Sequence, residues 1–377
     1  MIEYVEIRKK SSREIIGIID AAQSIIWHSV YFGVGDFEIY ATATEKHVEL
    51  LQEGNYVTRN DDIEVGIIES VKSETSINGT MLVASGRFAK SILDRRHIYK
   101  LSGKTNTPTI LRGKVEVAVR QLVYDNEINC SFDTRRNINF LELGALSNIP
   151  AVIVDAYGQA TQKQVSYENL LTYTDELLQE YNLGAIITLD DSTYKLAYSV
   201  YQGSNRSIDN TDGNEPVIFS QEYDNLTSSE YSLNTQPKKT AALIGGAGED
   251  LERFYSLIPG TETGFERRET WIDAKDLNKT YKEEGSTQER EYTDTEYKAM
   301  LDAKGKQELI AAKTEEIFSA DININAGQWH LNEDYWLGDV VTFQDNKINK
   351  YKNVRITELT EVQDENGYTI KPEFGDA

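Results

Sequence analysis

The chain has 377 residues, more than one hydrophobic core usually serves, so several domains are expected. Its 39% hydrophobic and 27% charged content describe a folded, soluble composition, and no apolar run reaches the length of a membrane span. A net charge of −23, from 62 acidic and 39 basic residues, argues against gripping nucleic acid, which needs clustered Lys and Arg; it suits either a wall that nucleic acid slides past or plain solubility.

The opening Met1-Ile2-Glu3-Tyr4-Val5-Glu6 lacks the basic region and apolar stretch of a signal peptide, which argues against secretion. A single cysteine, Cys130, excludes an internal disulfide and fits a buried thiol in a chain made in a reducing cytoplasm.

Residues 1–105 predict a β-domain. Ile15–Ile19, Ser24–Trp27 and Phe37–Ala41 are short, β-branched or aromatic, and bounded by turn residues. Asn78-Gly79 predicts a type I′ hairpin. In the following Gly86–Arg96, residues Phe88, Ile92 and Leu93 share one helical face, which predicts a short helix plugging a barrel or sandwich.

Residues 106–190 predict a small α/β domain. Thr107-Pro108 can start a helix over Thr109–Tyr124, although Val115–Val119 also suits a strand. Ser166 is expected to cap a second helix whose face is Leu170, Leu171, Thr174, Leu177, Leu178 and Tyr181, with Gly184 as its stop and Ala185–Leu189 as the next strand.

Residues 191–275 predict the first part of a second β-domain, with strands at Tyr194–Tyr198, Val217–Ser220 and Ala241–Ile244. A charged helical insertion is expected over 276–319, started by the capping box Thr293-Asp294-Thr295-Glu296, with Met300, Leu301, Leu309, Ile310, Ile317 and Phe318 as its apolar positions and Gly305 as its weak point. Strands resume at Asp321-Ile322-Asn323-Ile324, and 320–377 completes the second β-domain. The fold class is thus multidomain mixed α and β, with two related β-barrel-like domains, an inserted small α/β domain and a helical insertion.

No catalytic constellation emerges. His28, His47, His97 and His330 show no paired metal-ligand spacing. Leu243-Ile244-Gly245-Gly246-Ala247-Gly248 lacks the Lys-Ser/Thr of a phosphate loop and predicts a tight turn from a strand into a helix. Asp209–Glu215 places Ile208 where a calcium loop needs its first ligand, so a polar turn is expected. Asp190-Asp191 and Glu333-Asp334 are neighbours in sequence, which says nothing about the separation glycoside hydrolysis needs. Catalytic, metal and cofactor residues are therefore expected to be none. The 22 tyrosines favour a binding or assembly surface, or are simply good strand formers.

One pattern occurs twice. Glu64–Val71 runs into Asn78-Gly79 and Thr80–Val83, and Lys352–Leu359 runs into Asn366-Gly367 and Tyr368–Ile370, at a constant offset of 288 positions (68 to 356, 71 to 359, 78 to 366, 82 to 370). Val34-Gly35-Asp36-Phe37-Glu38-Ile39-Tyr40 similarly echoes Leu337-Gly338-Asp339-Val340-Val341-Thr342-Phe343. The echoes reflect either duplication or coincidence between common hairpin sequences.

The ending Asp334–Val341, Val354–Leu359 and Ile370–Gly375 resembles that of phage tail hub proteins, as do the opening Gly66–Val71 and Val83–Arg96 and the middle Val217–Ser220, Asn225-Leu226 and Gly245–Gly248. The chain resembles siphophage tail-tip proteins of the tail-associated lysin (Tal) type, in the short form of lactococcal siphophages. The resemblance implies a non-enzymatic homotrimeric hub in the baseplate of the virion, with two similar β-barrels per subunit forming a pseudo-sixfold ring. That ring closes or extends the tail tube and opens for genome ejection, with DNA passing through without specific binding. The implied partners are the distal tail protein, the tape measure protein and receptor-binding proteins that serve host cell attachment. The chain stops after Phe374-Gly375, so no lysin extension is expected. A carbohydrate-binding or carbohydrate-degrading host-surface protein is the alternative.

Overall fold

The computed structural model describes all residues except 78, 103–104, 155–158, 276, 283–288 and 324–327. The chain divides into two compact units, one of residues 1–153, 162–231 and 317–377, the other of 154–161 and 232–316.

The first unit is dominated by a ten-stranded sheet. Its main path runs Leu226–Asn234, Glu315–Ile322, Gly367–Asp376, Lys350–Asp364, Ala22–Val30, Asp36–Thr42, Gly79–Arg87 and Ser70–Ser76, while Ile218–Ser220 and Val340–Asp345 pair off this path. Two cores lie against it. Trp27, Phe37 and Phe88 centre one, and Phe219, Tyr335, Phe343 and Phe374 the other. The predicted plug is a 3-10 helix, Ala89–Arg95, and Phe88, Ile92 and Leu93 are all buried.

A third core belongs to the α/β region. Thr109–Arg112 is a strand paired with Gln162–Val165, and helix begins only at Val115, running to Val123; this settles the open choice at 109–124. The second helix is Leu170–Glu180, and its cap is Asn169, whose side chain accepts from Thr172 N at 3.1 Å, not Ser166. Its stop is Asn182, at φ +56°, not Gly184, which opens the strand Gly184–Asp190. Asn tolerates the left-handed conformation because its short amide compensates locally. These helices cover Leu141–Leu143, Lys195–Tyr201 and Gly184–Asp190, the first two parallel.

In the second unit, the sheet Tyr255–Ile258, Ala241–Gly245 and Glu269–Asp273 carries the helix Asp294–Ala311. The capping box is present: the Thr293 hydroxyl accepts from Glu296 N while Glu296 accepts from Thr293 N. Helix does not extend over 276–319, however. Thr280–Lys282 pairs with Glu289–Glu291, and Glu315–Ile322 is a strand, so Ile317 and Phe318 are strand rather than helix positions. Gly305 lets the helix approach the sheet: a Cβ there would stand 2.7 Å from the Ile244 and Ile258 Cδ1 atoms. Asn78 and Ile324 lie outside the described residues.

The hairpin turn differs from the expected type I′. Gly79 (φ +120°) and Gly367 (φ +116°) take positive φ, but Asn366 does not. Type I′ requires it of both central residues, so positive φ falling on glycine alone points to a turn followed by a glycine bulge.

Candidate functional site

The main path of the sheet consists of two four-stranded ladders whose hairpins share one register. In the first, Ser70 faces Ser85, Val71 faces Ala84 and Ser76 faces Gly79. In the second, Glu358 faces Glu373, Leu359 faces Pro372 and Asp364 faces Gly367, each residue 288 positions on. The irregularity repeats too. The second register slips between Ile356 and Glu358, resumes with Ile356 facing Phe374 and runs to Val354 facing Asp376, and the first bridges Gly66 to Phe88 at the same offset. Register is set by which face each side chain must bury, so a shared slip is a strong sign of common architecture.

The neighbours of each hairpin also match. Tyr56 and Val57 face Ile67 and Gly66, as Val340 and Val341 face Arg355 and Val354. Gly54 N donates to Ile68 O and Ile68 N to Asn55 O (2.7 and 2.9 Å), while Gly338 N donates to Ile356 O and Ile356 N to Asp339 O (both 2.9 Å). Both glycines are left-handed, at φ +84° and +92°. On the other side, Phe37 and Ala41 face Gly86 and Leu82, as Phe318 and Ile322 face Phe374 and Ile370. Val57 and Val341, Ile68 and Ile356, and Leu82 and Ile370 thus fill matching core positions. The counterpart of Leu337–Thr342 is therefore Glu53–Thr58. The predicted echo with Val34–Tyr40 is incorrect, because Asp36–Thr42 pairs with the hairpin's second strand and Val340–Asp345 with its first.

The ladders meet where Glu358–Gln363 pairs with Ile25–Val30, and charged groups lock this seam. Arg59, with a side chain 1% exposed, donates to both Glu361 oxygens at 2.8 and 3.0 Å, and to both Asp61 oxygens at 2.9 Å. Burial opposes its charge, but Asp61 and Glu361 hold the guanidinium more firmly protonated than usual. Tyr368 OH donates to Glu361, and the Trp27 ring lies 5.3 Å from the Arg59 guanidinium. Further along, His28 lies 3.2 Å from Asp36 and 3.0 Å from Glu358. Burial lowers the imidazole pKa, yet the bonds to Glu358 and Asp36 prevail and leave it raised.

Beside the seam opens a cavity of about 450 Å³. Its walls include Ile186, Leu331, Trp336 and Leu337, and its acids are Asp62, Glu64, Asp339 and Glu361. Burial raises the Asp62 and Asp339 pKa values despite their hydrogen bonds and Arg neighbours.

The motifs singled out in the sequence serve structure. Gly245 and Gly246 carbonyls accept from Arg253, and Tyr297 OH accepts from Ala247 N and donates to Leu277 O, so the glycine run is tied into its own fold. It leads through a 3-10 turn to the strand Tyr255–Ile258. Asp209 accepts from Asn353, Asp190 from Ser192, and Asp334 from His330 N. Asp191 pairs with Arg8 at 2.7 Å, and Cys130 is buried. Among the described residues no three His, Cys, Asp or Glu side chains cluster as metal ligands. Arg59 and Glu361, 302 positions apart, escaped sequence reasoning because nothing local marks either.

The profile of the family described as siphovirus ReqiPepy6 Gp37-like protein matches residues 4–376. The chain is similar in structure to the 43 kDa tail protein of prophage MuSo2 from Shewanella oneidensis, at 12% identity and a TM-score of 0.58 over 99% of this chain and 98% of that one. It is also similar to the tail protein from Neisseria meningitidis MC58, at 12% identity and 0.56 over 99% and 96%. A chain of the half-lidded Francisella PdpA–VgrG complex gives 11% identity and 0.50 over 99% of this chain and 57% of that one. No curated protein matches the sequence. Matching ladders describe the architecture, and the match over residues 4–376 gives the family: the chain belongs to the siphovirus ReqiPepy6 Gp37-like family.

Proposed function

We propose that this chain is the hub at the distal end of the tail, a homotrimer in which three copies of two matching ladders present six equivalent units to a sixfold partner, the distal tail protein. The observation that carries this is the strand order. It reads as one block of four repeated: Leu226–Asn234, Glu315–Ile322, Gly367–Asp376, Lys350–Asp364, then Ala22–Val30, Asp36–Thr42, Gly79–Arg87, Ser70–Ser76. Within the chain, the last strand of the first block pairs with the first strand of the second. The order ends on the same two kinds of strand, Ser70–Ser76 and Leu226–Asn234. Repeating the internal junction between chains joins Ser70–Ser76 of one copy to Leu226–Asn234 of the next, and three copies close a ring. Every side chain of Ser70–Ser76 is exposed, and exposed edges seek partners.

In this reading residues 1–105 form one barrel, 191–231 with 317–377 form the second, 106–190 decorate the ring and 232–316 are an insertion. The ring closes or extends the tail tube and opens for genome ejection. A net charge of −23 favours DNA passing without adhesion. The tape measure protein and receptor-binding proteins for host attachment are further partners, which places the hub in the virion after synthesis in the host cytoplasm.

Light scattering of the purified chain tests this, with a mass near three times 42.7 kDa expected and averaged particle images showing a threefold ring. The double variant Val71→Lys, Ser73→Lys, on a fully exposed edge, is expected to yield folded monomers. A wild-type chain that stays monomeric at high concentration and does not bind the distal tail protein overturns the proposal.

A further inference from the structure

The cavity beside the seam combines apolar walls with four carboxylates, one of them without a partner among the described residues. Four carboxylates line it and no Lys, Arg or His does. Three of the four are satisfied from the surrounding structure. Glu361 accepts from Arg59 and Tyr368. Asp339 accepts from Ser204 N, Trp336 N and Arg206 Nε at 2.6, 3.1 and 2.9 Å. Asp62 accepts from Trp27 Nε1 and Glu64 N at 3.0 and 2.8 Å. The Glu64 carboxylate has no hydrogen-bond or ion-pair partner among the described residues. Glu64 is partly buried, so its carboxylate lies open to the cavity beside apolar walls, where a cation delivered to it is favoured. The mouth carries exposed apolar surface, with Ile63 65% and Trp336 38% exposed. At about 450 Å³ the volume falls in the range of small-ligand sites.

We propose that this cavity binds an alkylammonium group, its hydrocarbon portion lying against Trp336, Leu337 and Ile63 and its ammonium donating to the Glu64 carboxylate. The group can come from a free amine or from a lysine side chain of a second copy. Burial and the Asp62 carboxylate push Glu64 up to about 8, against the pull of Lys90. Asp339, Glu361 and Tyr201 are the other titratable groups on the cavity wall. Binding therefore requires Glu64 to lose its proton and tightens between about pH 6 and about pH 9, where an alkylammonium keeps its charge.

The test is titration calorimetry of the full chain with n-hexylammonium, hexanol and hexanoate. Hexylammonium is expected to bind at least about tenfold tighter than hexanol, with hexanoate silent. Glu64→Gln, checked for unchanged circular dichroism, is expected to lose about tenfold for the amine and nothing for the alcohol. Trp336→Ala should weaken both. Light scattering separates the sources: self-association that falls with Glu64→Gln and with added hexylammonium indicates a second copy's lysine, and unchanged mass indicates a free amine. Equal affinity for amine and alcohol, an unchanged amine affinity in Glu64→Gln, or no binding at millimolar concentration overturns the proposal.

Discussion

Replacing Arg59 with Met tests whether the seam is held by its ion pair. The variant keeps the side chain's bulk but removes two hydrogen bonds to Glu361, whose own side chain is only 4% exposed. Breaking a buried pair by removing one partner costs about 3–5 kcal/mol, because the remaining charge is stranded. The lower end is expected here, since Tyr368 still donates to Glu361 and the released Asp61, 39% exposed, regains water. Glu361→Gln should cost less, about 1–2 kcal/mol, because Arg59 retains both bonds to Asp61. The double variant Arg59→Met, Glu361→Leu should recover much of the loss, since well-packed apolar replacements of buried pairs are often neutral. A chain of two units need not unfold in one step, so the probes must report on the seam. Trp27 fluorescence in urea does so, as does hydrogen exchange of the amides in Ile25–Val30 and Glu358–Gln363. An Arg59→Met cost below about 1 kcal/mol, or a double variant additive within about 0.5 kcal/mol, would refute the reasoning.

Gly54→Ala and Gly338→Ala should each lose about 1–2 kcal/mol to left-handed backbone strain. Gly338→Ala should be the worse in thermal melts, because its Cβ would stand 2.3 Å from the Tyr31 ring, whereas at Gly54 the obstacle is the flexible Lys10 chain. His28→Asn should destabilise the fold in acid and lose its effect in base: the imidazole pKa is raised in the folded state, so its contribution is complete below about 6.5 and disappears as pH rises through the folded value. Urea midpoints at about pH 5.5 and about pH 8.5 measure the difference. Glu127 is fully buried, and burial pushes it up to about 7 despite Arg96, Arg136 and Arg95. Its protonated form therefore favours folding at low pH, and that contribution is lost as pH rises through about 7. Glu127→Gln should then be neutral near pH 4 and stabilising by about 2–3 kcal/mol near pH 8.5.

What the sequence carried legibly was local. The capping box at Thr293 and Glu296 is a four-residue signal and stands in place. The hairpin offset of 288 was legible because both hairpins keep their length from the slip to the turn. The second echo failed because Gly35-Asp36 matched Gly338-Asp339 better in letters than Gly54-Asn55 does. Position would have corrected it: Gly54 and Gly338 precede their hairpins by similar distances and Gly35 does not. Ile317 and Phe318 continued the apolar spacing of a real helix, and nothing local said that the chain had already turned to complete a ladder. Asn182 displaced Gly184 as the helix stop because backbone conformation, rather than residue type alone, ends a helix. The seam and the cavity were illegible, since Ser29, Glu64, Tyr201 and Trp336 meet only through topology.

The internal seam also constrains how the proposed ring comes apart. Under the ladder correspondence, Glu358 and Glu361 match Ser70 and Ser73, and Arg59, one residue beyond Tyr56–Thr58, matches Phe343. The junction inside the chain thus carries a buried ion pair where the free edge carries serine, and its Arg is a core Phe in the other ladder. Separating the ladders within a chain strands Arg59 and Glu361 at a cost of several kcal/mol, of order 3–5. Separating two chains at Ser70–Ser76 strands no such charge, because its hydroxyls return to water at little cost. A ring with one locked and one unlocked junction per chain opens between chains, and each subunit keeps both ladders intact as it moves.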